Sequence, residues 1–89
     1  MKEWGPIIVI EWVDSCSLRG GAWHPHEDAE QLSPDHCRSI GWVLKEDNDS
    51  IVIVPHTAQH SVGGEMCIPK FSITRRWTLT DPAKPKRRR

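Results

Sequence analysis

The sequence contains no tyrosine, a single phenylalanine and no long apolar segment. Because a helix needs ~20 consecutive apolar residues to span a bilayer, we expect no membrane-spanning segment and no membrane partner. The first six residues lack the apolar region and the small-residue cleavage site of a signal peptide, so export is not expected. The 89 residues are enough for one small domain, and the expected location is the cytoplasm.

Cysteine is scarce, and its spacing does not indicate a disulfide framework. Cys16, Cys37 and Cys67 are odd in number and far apart, so we expect reduced thiols. Several histidines lie near Cys37, but they form no recognised zinc-ligand pattern, and there is no Cys-x-x-Cys pair or His-Glu-x-x-His sequence. We therefore predict no metal site and no cofactor.

The net charge of zero conceals two parts of opposite sign. Five of the 12 basic residues lie in residues 84–89, which leaves seven basic against 12 acidic residues in residues 1–83. An acidic body disfavours nucleic-acid binding, for which a basic face is typical. We predict one domain over residues 1–80 and a disordered basic tail over residues 81–89. The tail is either a solvated end or a nucleic-acid contact through Lys84, Lys86, Arg87, Arg88 and Arg89.

Short β-branched segments separated by turn residues predict an all-β fold. The alternation of apolar and polar residues predicts five strands, with a tight hairpin between the second and third and a 3₁₀ turn before the fifth. This order is typical of a small five-stranded SH3-like barrel with a long first loop, and an Sm-like barrel is the alternative. A helical turn near residues 28–32 is the only helix expected. The predicted strands are residues 6–13, 37–44, 50–54, 65–68 and 73–79.

The first and third strands are apolar on both faces. Ile8 and Ile10 share one face of the first strand with Trp12, whereas Ile7 and Val9 share the other. A barrel covers only the inner face, and a large exposed apolar face usually marks an interface. We therefore predict a homo-oligomer, most simply a two-fold dimer, unless residues 14–35 fold back over the outer face.

Five tryptophans are more than so small a core can hold. We expect Trp12, Trp42 and Trp77 to pack in the barrel, each with a partner for its indole N–H. Trp23 follows two glycines in the long loop. It either packs back as a lid or offers a stacking surface to a nucleobase.

Polar residues at the ends of the predicted strands form a candidate ligand site. Asp14 and Ser15 end the first strand and provide groups that hydrogen-bond a ribose or a base, or that simply close a turn. A nucleophile with a base and an orienting group is not evident, so we predict a binding protein and not an enzyme. In this site Trp23 stacks, and His56 or Arg38 meets a phosphate. The candidate ligand-binding residues are Asp14, Ser15, Trp23, Arg38, Ser39, Trp42 and His56.

Four segments together resemble a group of short bacteriophage proteins that has no assigned activity. They are Glu11 to Trp23, Cys37 to Leu44, Ile51 to His56 and Ile68 to Lys70, with a Trp-x-Asp-Ser segment, a Gly-Gly-x-Trp loop, a Ser-x-Gly-Trp strand and an Ile-Pro-Lys turn. The resemblance implies a phage protein in the cytoplasm of an infected bacterium.

Two functions fit a phage barrel of this kind. The first is an anti-defence sponge, which sequesters a nucleotide-derived signalling molecule of the bacterial immune system. The second is a regulatory adaptor that binds a host protein or nucleic acid with help from the basic tail. An acidic body favours the first, although a fold by itself does not decide between functions.

Overall fold

The main sheet forms where β-branched residues are concentrated. The structure is a computed structural model that describes residues 4–20 and 23–80. Its first strand, β1, is Ile7–Asp14. The other elements are α1 (His26–Glu30), β2 (Asp35–Glu46), β3 (Ser50–Val54), β4 (His56–Thr57), β5 (Val62–Gly63), β6 (Met66–Pro69), a 3₁₀ turn (Lys70–Ser72) and β7 (Ile73–Leu79).

Five strands pair in the antiparallel order β6-β3-β2-β1-β7, and β4 pairs with β5 in a separate hairpin. The all-β prediction is therefore confirmed. Strands β6 and β7 are the two edges of the main sheet and are joined by the 3₁₀ turn. They do not pair with each other, so strand pairing closes no barrel in the described region.

The predicted elements agree with the structure in order and mostly in extent. The third and fifth predicted strands and the 3₁₀ turn have the expected bounds. Strand β2 extends two residues further at each end. The β4–β5 hairpin was missed because each of its strands has only two residues, too few for alternation to show.

The core is a cluster of isoleucines on the inner face of the sheet, with Trp12 among the half-buried residues packed against it. Val9 and Val54 are also buried within the single chain, although their strand positions place them on the outer side. The outer face is therefore partly covered without a second subunit, while Ile40 remains 52% exposed. The dimer stays a prediction. The cluster consists of Ile8, Ile10, Ile51, Ile53 and Ile68.

Strand β2 pairs with β1 up to Trp42 and with β3 from Trp42 onwards. Gly41 lies next to the residue at which the partner changes, and it is buried. A Cβ atom at this position would lie 2.7 Å from the carbonyl oxygen of Val54. The glycine predicted a bend or a close backbone approach, and the close approach is confirmed.

A three-residue ion cluster ties the end of β2 to the far side of the sheet. Glu46 accepts hydrogen bonds from Arg76 of β7, with Nη1 at 2.8 Å, and lies 2.8 Å from Nζ of Lys70 in the 3₁₀ turn. Hydrogen bonds from Arg76 and Lys70 lower the pKa of the Glu46 carboxyl to about 2. The cluster links β2 to β7, two strands that are not neighbours in the sheet.

Replacing Glu46 with glutamine is expected to destabilise the protein by about 1 kcal/mol at pH 7, because a partly exposed ion cluster is screened by solvent. The folded-state pKa lies below the ordinary value of 4.5, so this stabilisation is present above pH 4.5 and is lost as the pH falls towards about 2. Urea unfolding of the native chain and the variant at several pH values measures this stabilisation. The control is Glu65→Gln at an exposed site, and a difference between variant and native chain that persists unchanged at pH 2 would contradict this assignment.

The long connection between β1 and β2 contains α1, and all five helix residues are exposed. The Sγ atom of Cys16 lies 2.8 Å from the carbonyl oxygen of Ser33, which joins the two ends of this connection. Residues 21–22 and 81–89 lie outside the described residues, and so does the prediction of a disordered basic tail. Within the described region, no helix has the length and apolar character needed to cross a membrane.

Candidate functional site

Strands β7, β1 and β2 place two arginines on either side of one carboxylate. Glu11 of β1 lies opposite Arg38 of β2 and Arg75 of β7. Arg38 donates to Oε2 of Glu11 from Nη2 at 2.9 Å and from Nε at 3.3 Å, and Nη1 of Arg75 lies 3.8 Å from Oε1. The two arginine side chains remain 68% and 69% exposed. This row therefore has a surplus positive charge that is open to solvent.

An indole ring orients the two guanidinium groups. Trp77 lies two residues after Arg75 on β7, and therefore on the same face of the sheet. The Cζ atom of Arg75 is 4.5 Å from the centroid of this ring and that of Arg38 is 6.0 Å away, both within the range of cation–π attraction. We call Glu11, Arg38, Arg75 and Trp77 the arginine–tryptophan face.

A cleft of about 470 Å³ adjoins this face where the β1–β7 pairing is irregular. The register shifts between Glu11 and Trp12, and the hydroxyl of Thr74 donates to the carbonyl oxygen of Glu11 at 3.2 Å. Beyond the Trp12–Ile73 pair, Val13 and Asp14 of β1 pair only with β2. A β-bulge of this kind often redirects side chains at a functional site. The first cleft is lined by Glu11, Trp12, His36, Cys37, Arg38 and Thr74.

The thiol in the first cleft, that of Cys37, has a raised pKa. Burial raises the pKa of Cys37, and the carboxylates of Asp14 and Asp35 raise it further. A protonated thiol is a weak nucleophile and a weak metal ligand. Within the described residues, no three His, Cys, Asp or Glu side chains are grouped closely enough to hold a metal ion.

Arg38 and Ser39 are adjacent predicted site residues, but they point to opposite faces of β2. Arg38 belongs to the arginine–tryptophan face. The Ser39 hydroxyl accepts a hydrogen bond from Nε1 of Trp12 at 3.1 Å and lies 3.8 Å from Sδ of Met66. Ser39 thus provides the hydrogen-bond acceptor for the indole N–H of Trp12. It also lines a second, smaller cleft. This second cleft, of about 210 Å³, is lined by Ser39, Ile40, Ile53, Pro55, Gly64 and Met66.

The other predicted site residues are dispersed. Asp14 accepts a hydrogen bond from the backbone N–H of the next residue, Ser15, at 2.8 Å. Trp23 is 93% exposed, so it does not pack back as a lid. His56 is exposed in β4, opposite Gly63 and next to the second cleft. These residues do not form one site with Arg38.

The tryptophan assignments need one correction. Trp12 packs against the core as expected. Trp42 and Trp77 pair with Ile7 and Val9 of β1, which places both indoles on the outer side of the sheet. Side chains that lie opposite each other on paired strands are on the same face of the sheet, so the pairing determines the side on which both indoles lie.

Sequence reasoning missed Glu11, Arg75 and Trp77 as members of a site. The alternation Arg75-x-Trp77 already placed a cation and an aromatic ring on one side of β7. A carboxylate in an otherwise apolar strand was a second signal, since a charge there needs a partner. Alternation along a strand does not show which strand lies next to it. The pairing of β2 with β1 brings Arg38 to the same carboxylate.

No protein-family model, curated protein or solved structure matches this chain.

Proposed function

We propose that this protein is a non-enzymatic binding module that captures a small nucleotide-like anion on the arginine–tryptophan face. One observation carries the proposal: two exposed guanidinium groups share a single carboxylate beside an indole ring and a cleft of about 470 Å³. Guanidinium groups bind phosphate oxygens through paired, charge-assisted hydrogen bonds. A single carboxylate leaves part of their donor capacity free.

In this proposal the phosphate lies against Arg38 and Arg75, while the sugar and base enter the first cleft. Glu11 and Trp77 hold the guanidinium groups in place before the ligand arrives, which reduces the entropy lost on binding. His36 and Thr74 line the cleft and provide polar groups for a ribose or a base edge.

The proposal also includes the absence of catalysis. Burial and nearby carboxylates raise the pKa of Cys37, the one thiol in the first cleft. Across the described residues, no hydrogen bond joins a histidine ring to a serine, threonine or cysteine side chain, as an activated nucleophile would need. These features favour binding over catalysis.

We further propose an SH3-like barrel architecture and a phage anti-defence role. The strand order β6-β3-β2-β1-β7 and the 3₁₀ turn between β6 and β7 support the first. The cluster around Glu46 brings β2 close to β7, as a strongly curved sheet requires. The resemblance to phage proteins supports the anti-defence role. In this role the protein sequesters a nucleotide-derived immune signal in the bacterial cytoplasm. The simplest assembly that we propose for it is a dimer.

Isothermal titration of the full chain with ATP and with a cyclic dinucleotide tests the proposal. We expect at least one of these probes to bind, and we expect Arg38→Glu or Arg75→Glu to weaken that binding by more than about tenfold, because each removes a charge-assisted contact. Arg19→Glu is the control, since it makes the same charge change in the loop before α1. Absence of binding by every probe, or equal binding by all three variants, would contradict the proposed function.

A further inference from the structure

We infer that β7 is a docking edge, to which a partner protein adds an extended acidic segment as a further antiparallel strand. The inference goes beyond the proposed function, because it concerns a different class of ligand and uses the free backbone at the edge of the sheet. The two proposals share Arg75 alone. Three observations carry the inference: the unpaired edge of β7, the charges along this strand, and the apolar side chains beside them.

The backbone of β7 is paired on one side only. In the described region this strand pairs with β1 and ends the sheet order β6-β3-β2-β1-β7. No backbone hydrogen bond outside that pairing involves residues 74–79 there, and five of the seven residues of β7 are exposed. Every second residue of such a strand directs its N–H and C=O groups away from its neighbour. These free donors and acceptors form a template on which another strand can pair.

The opposite edge of the main sheet is a poorer template. Strand β6 has four residues and ends at Pro69, which has no N–H to donate. It also contains no charged side chain. Strand β7 has seven residues, no proline and two arginines. The main sheet therefore has one edge that suits the addition of a strand of defined charge.

The charges along β7 favour an acidic partner. Arg75 and Arg76 are neighbours on this strand, so their side chains lie on opposite faces of the sheet. Each contacts one carboxylate, and each of these carboxylates also contacts a second cation. Four cations against two carboxylates leave a surplus of two positive charges in these contacts. The cations are Arg75, Arg38, Arg76 and Lys70, and the carboxylates are Glu11 and Glu46.

Two carboxylates near the first cleft limit where the acidic residues of the partner can lie. Asp14 and Asp35 are paired at the end of β1 and β2 that extends beyond the start of β7. Both raise the pKa of the Cys37 thiol in the first cleft. They would repel an acidic residue placed opposite Ile73, the first residue of β7. The acidic residues of the partner therefore lie opposite the two arginines, and none lies opposite Ile73.

The hairpin between β2 and β3 adds negative charge near the same end of β7. The carbonyl oxygen of Asp49 accepts a hydrogen bond from the backbone N–H of Lys70 at 2.8 Å, which holds this hairpin beside the 3₁₀ turn that precedes β7. Among the ion pairs of the described residues, those of β7 involve only Glu11 and Glu46. The part of β7 from Arg75 onwards is therefore the part open to an acidic strand.

Apolar side chains complete the pattern that the partner strand has to match. Trp77 and Leu79 share the Arg75 side of β7. Leu79 is 38% exposed and Trp77 is half-buried. Aromatic residues opposite β-branched residues, and opposite charges across from each other, stabilise paired strands. The antiparallel partner thus has apolar residues opposite Leu79 and Trp77, followed along its own chain by two acidic residues opposite the arginines.

A second copy of this chain is a poorer occupant of the edge. Pairing of β7 with β7 of another copy would bring four arginines together along two strands that contain no acidic residue. Like charges brought together at an interface oppose association. Charge complementarity therefore favours an acidic strand from a different protein. Recognition of this kind takes its affinity from main-chain hydrogen bonds and its specificity from the alternating side chains.

Fluorescence anisotropy of the full chain with a labelled peptide tests the inference. The probe is Val-Thr-Val-Glu-Glu-Thr-Val, which in antiparallel pairing with residues 73–79 places its two glutamates opposite Arg76 and Arg75. A peptide with lysine in place of both glutamates is the charge control. Two further peptides have N-methyl groups on the odd or on the even positions, because each pattern removes the N–H groups from one edge of the peptide. Circular dichroism checks that each protein variant is folded.

We expect the glutamate peptide to bind at least about tenfold more tightly than the lysine peptide, because attractive cross-strand pairs replace repulsive ones. Arg75→Glu should weaken binding of the glutamate peptide and strengthen binding of the lysine peptide. Arg19→Glu makes the same charge change away from β7 and should alter neither affinity by more than about twofold. One N-methylated peptide should lose its binding and the other should keep it, because one edge of the peptide faces β7.

Several results would overturn the inference. They are absence of binding at peptide concentrations up to about 1 mM, equal binding of the glutamate and lysine peptides, and equal effects of the two N-methylation patterns. Sedimentation showing a dimer at the protein concentrations at which peptide binding disappears would assign the edge to a second copy. Nucleotide titration is a separate measurement. Peptide binding without nucleotide binding contradicts only the proposed function, and nucleotide binding without peptide binding contradicts only this inference.

Discussion

Replacing Gly41 with valine is expected to prevent this chain from folding. A Cβ atom at Gly41 would lie 2.7 Å from the oxygen and 2.9 Å from the carbon of the Val54 carbonyl. Both are backbone atoms of the paired strand, so they cannot move aside without breaking the β2–β3 pairing. The Gly41→Ala substitution should lower the free energy of unfolding by about 1–3 kcal/mol, the usual range for overpacking. Valine adds two further methyl groups, so Gly41→Val should lower it by more. A domain of this size has only about 5–10 kcal/mol of stability in total.

Thermal unfolding followed by tryptophan fluorescence measures the effect. For a domain of fewer than 100 residues, the alanine variant should unfold roughly 5–20 °C below the native chain. Gly63→Ala is the matched control, because its Cβ atom would meet its nearest neighbour at an ordinary 3.7 Å. If Gly41→Ala is as stable as Gly63→Ala, the close approach of β2 and β3 does not exist as described.

Replacing Ile10 with alanine is expected to lower the free energy of unfolding by about 2–5 kcal/mol. Ile10 has no exposed surface, and it lies in the isoleucine cluster that forms the core. Removing its distal carbons leaves a cavity whose walls come from several strands, which limits how far the site can collapse. The loss is therefore a large fraction of the total stability.

Ile40→Ala is the control for this variant. Ile40 lies opposite Val9, on the strand next to Ile10 but on the outer face, where it is 52% exposed. The Ile40→Ala substitution should lower the free energy of unfolding by less than about 1 kcal/mol, since this side chain is already half exposed to water. Urea unfolding of the two variants compares them directly. Equal destabilisation by both would mean that the inner and outer faces have been assigned incorrectly.

These two positions also fix the geometry of the candidate site. The close backbone approach at Gly41 holds β2 against β3, three residues after Arg38. Ile10 anchors β1 in the core immediately before Glu11. Loss of either one would displace Arg38 relative to Glu11 and Arg75. Binding measurements on destabilised variants therefore need a folding check before they are interpreted as effects on the site.

The sequence alone was sufficient to predict the five strands of the main sheet and the 3₁₀ turn, but not the β4–β5 hairpin. Alternating β-branched residues marked β3 and β7, and the polar run from Lys45 to Ser50 marked the hairpin before β3. Gly41 was expected at a bend or a close backbone approach, because glycine is the residue type without a Cβ atom, and the close approach is the one found. These are local properties, set by the period of two along a strand and by backbone sterics, so they can be seen without knowing the fold.

Only the tertiary structure decided which strands are neighbours, and the candidate site depends on that. Alternation places Glu11, Arg38 and Arg75 each on one side of its own strand, but strand pairing alone brings β2 and β7 to opposite edges of β1. Pairing order depends on burying one face of every strand at once and on the closure of long loops, and neither is encoded within a single segment. The same cause explains why Ser39 accepts a hydrogen bond from Trp12 instead of forming one site with Arg38. The sequence determined the strands and their two-sided character, and long-range packing determined which side chains meet.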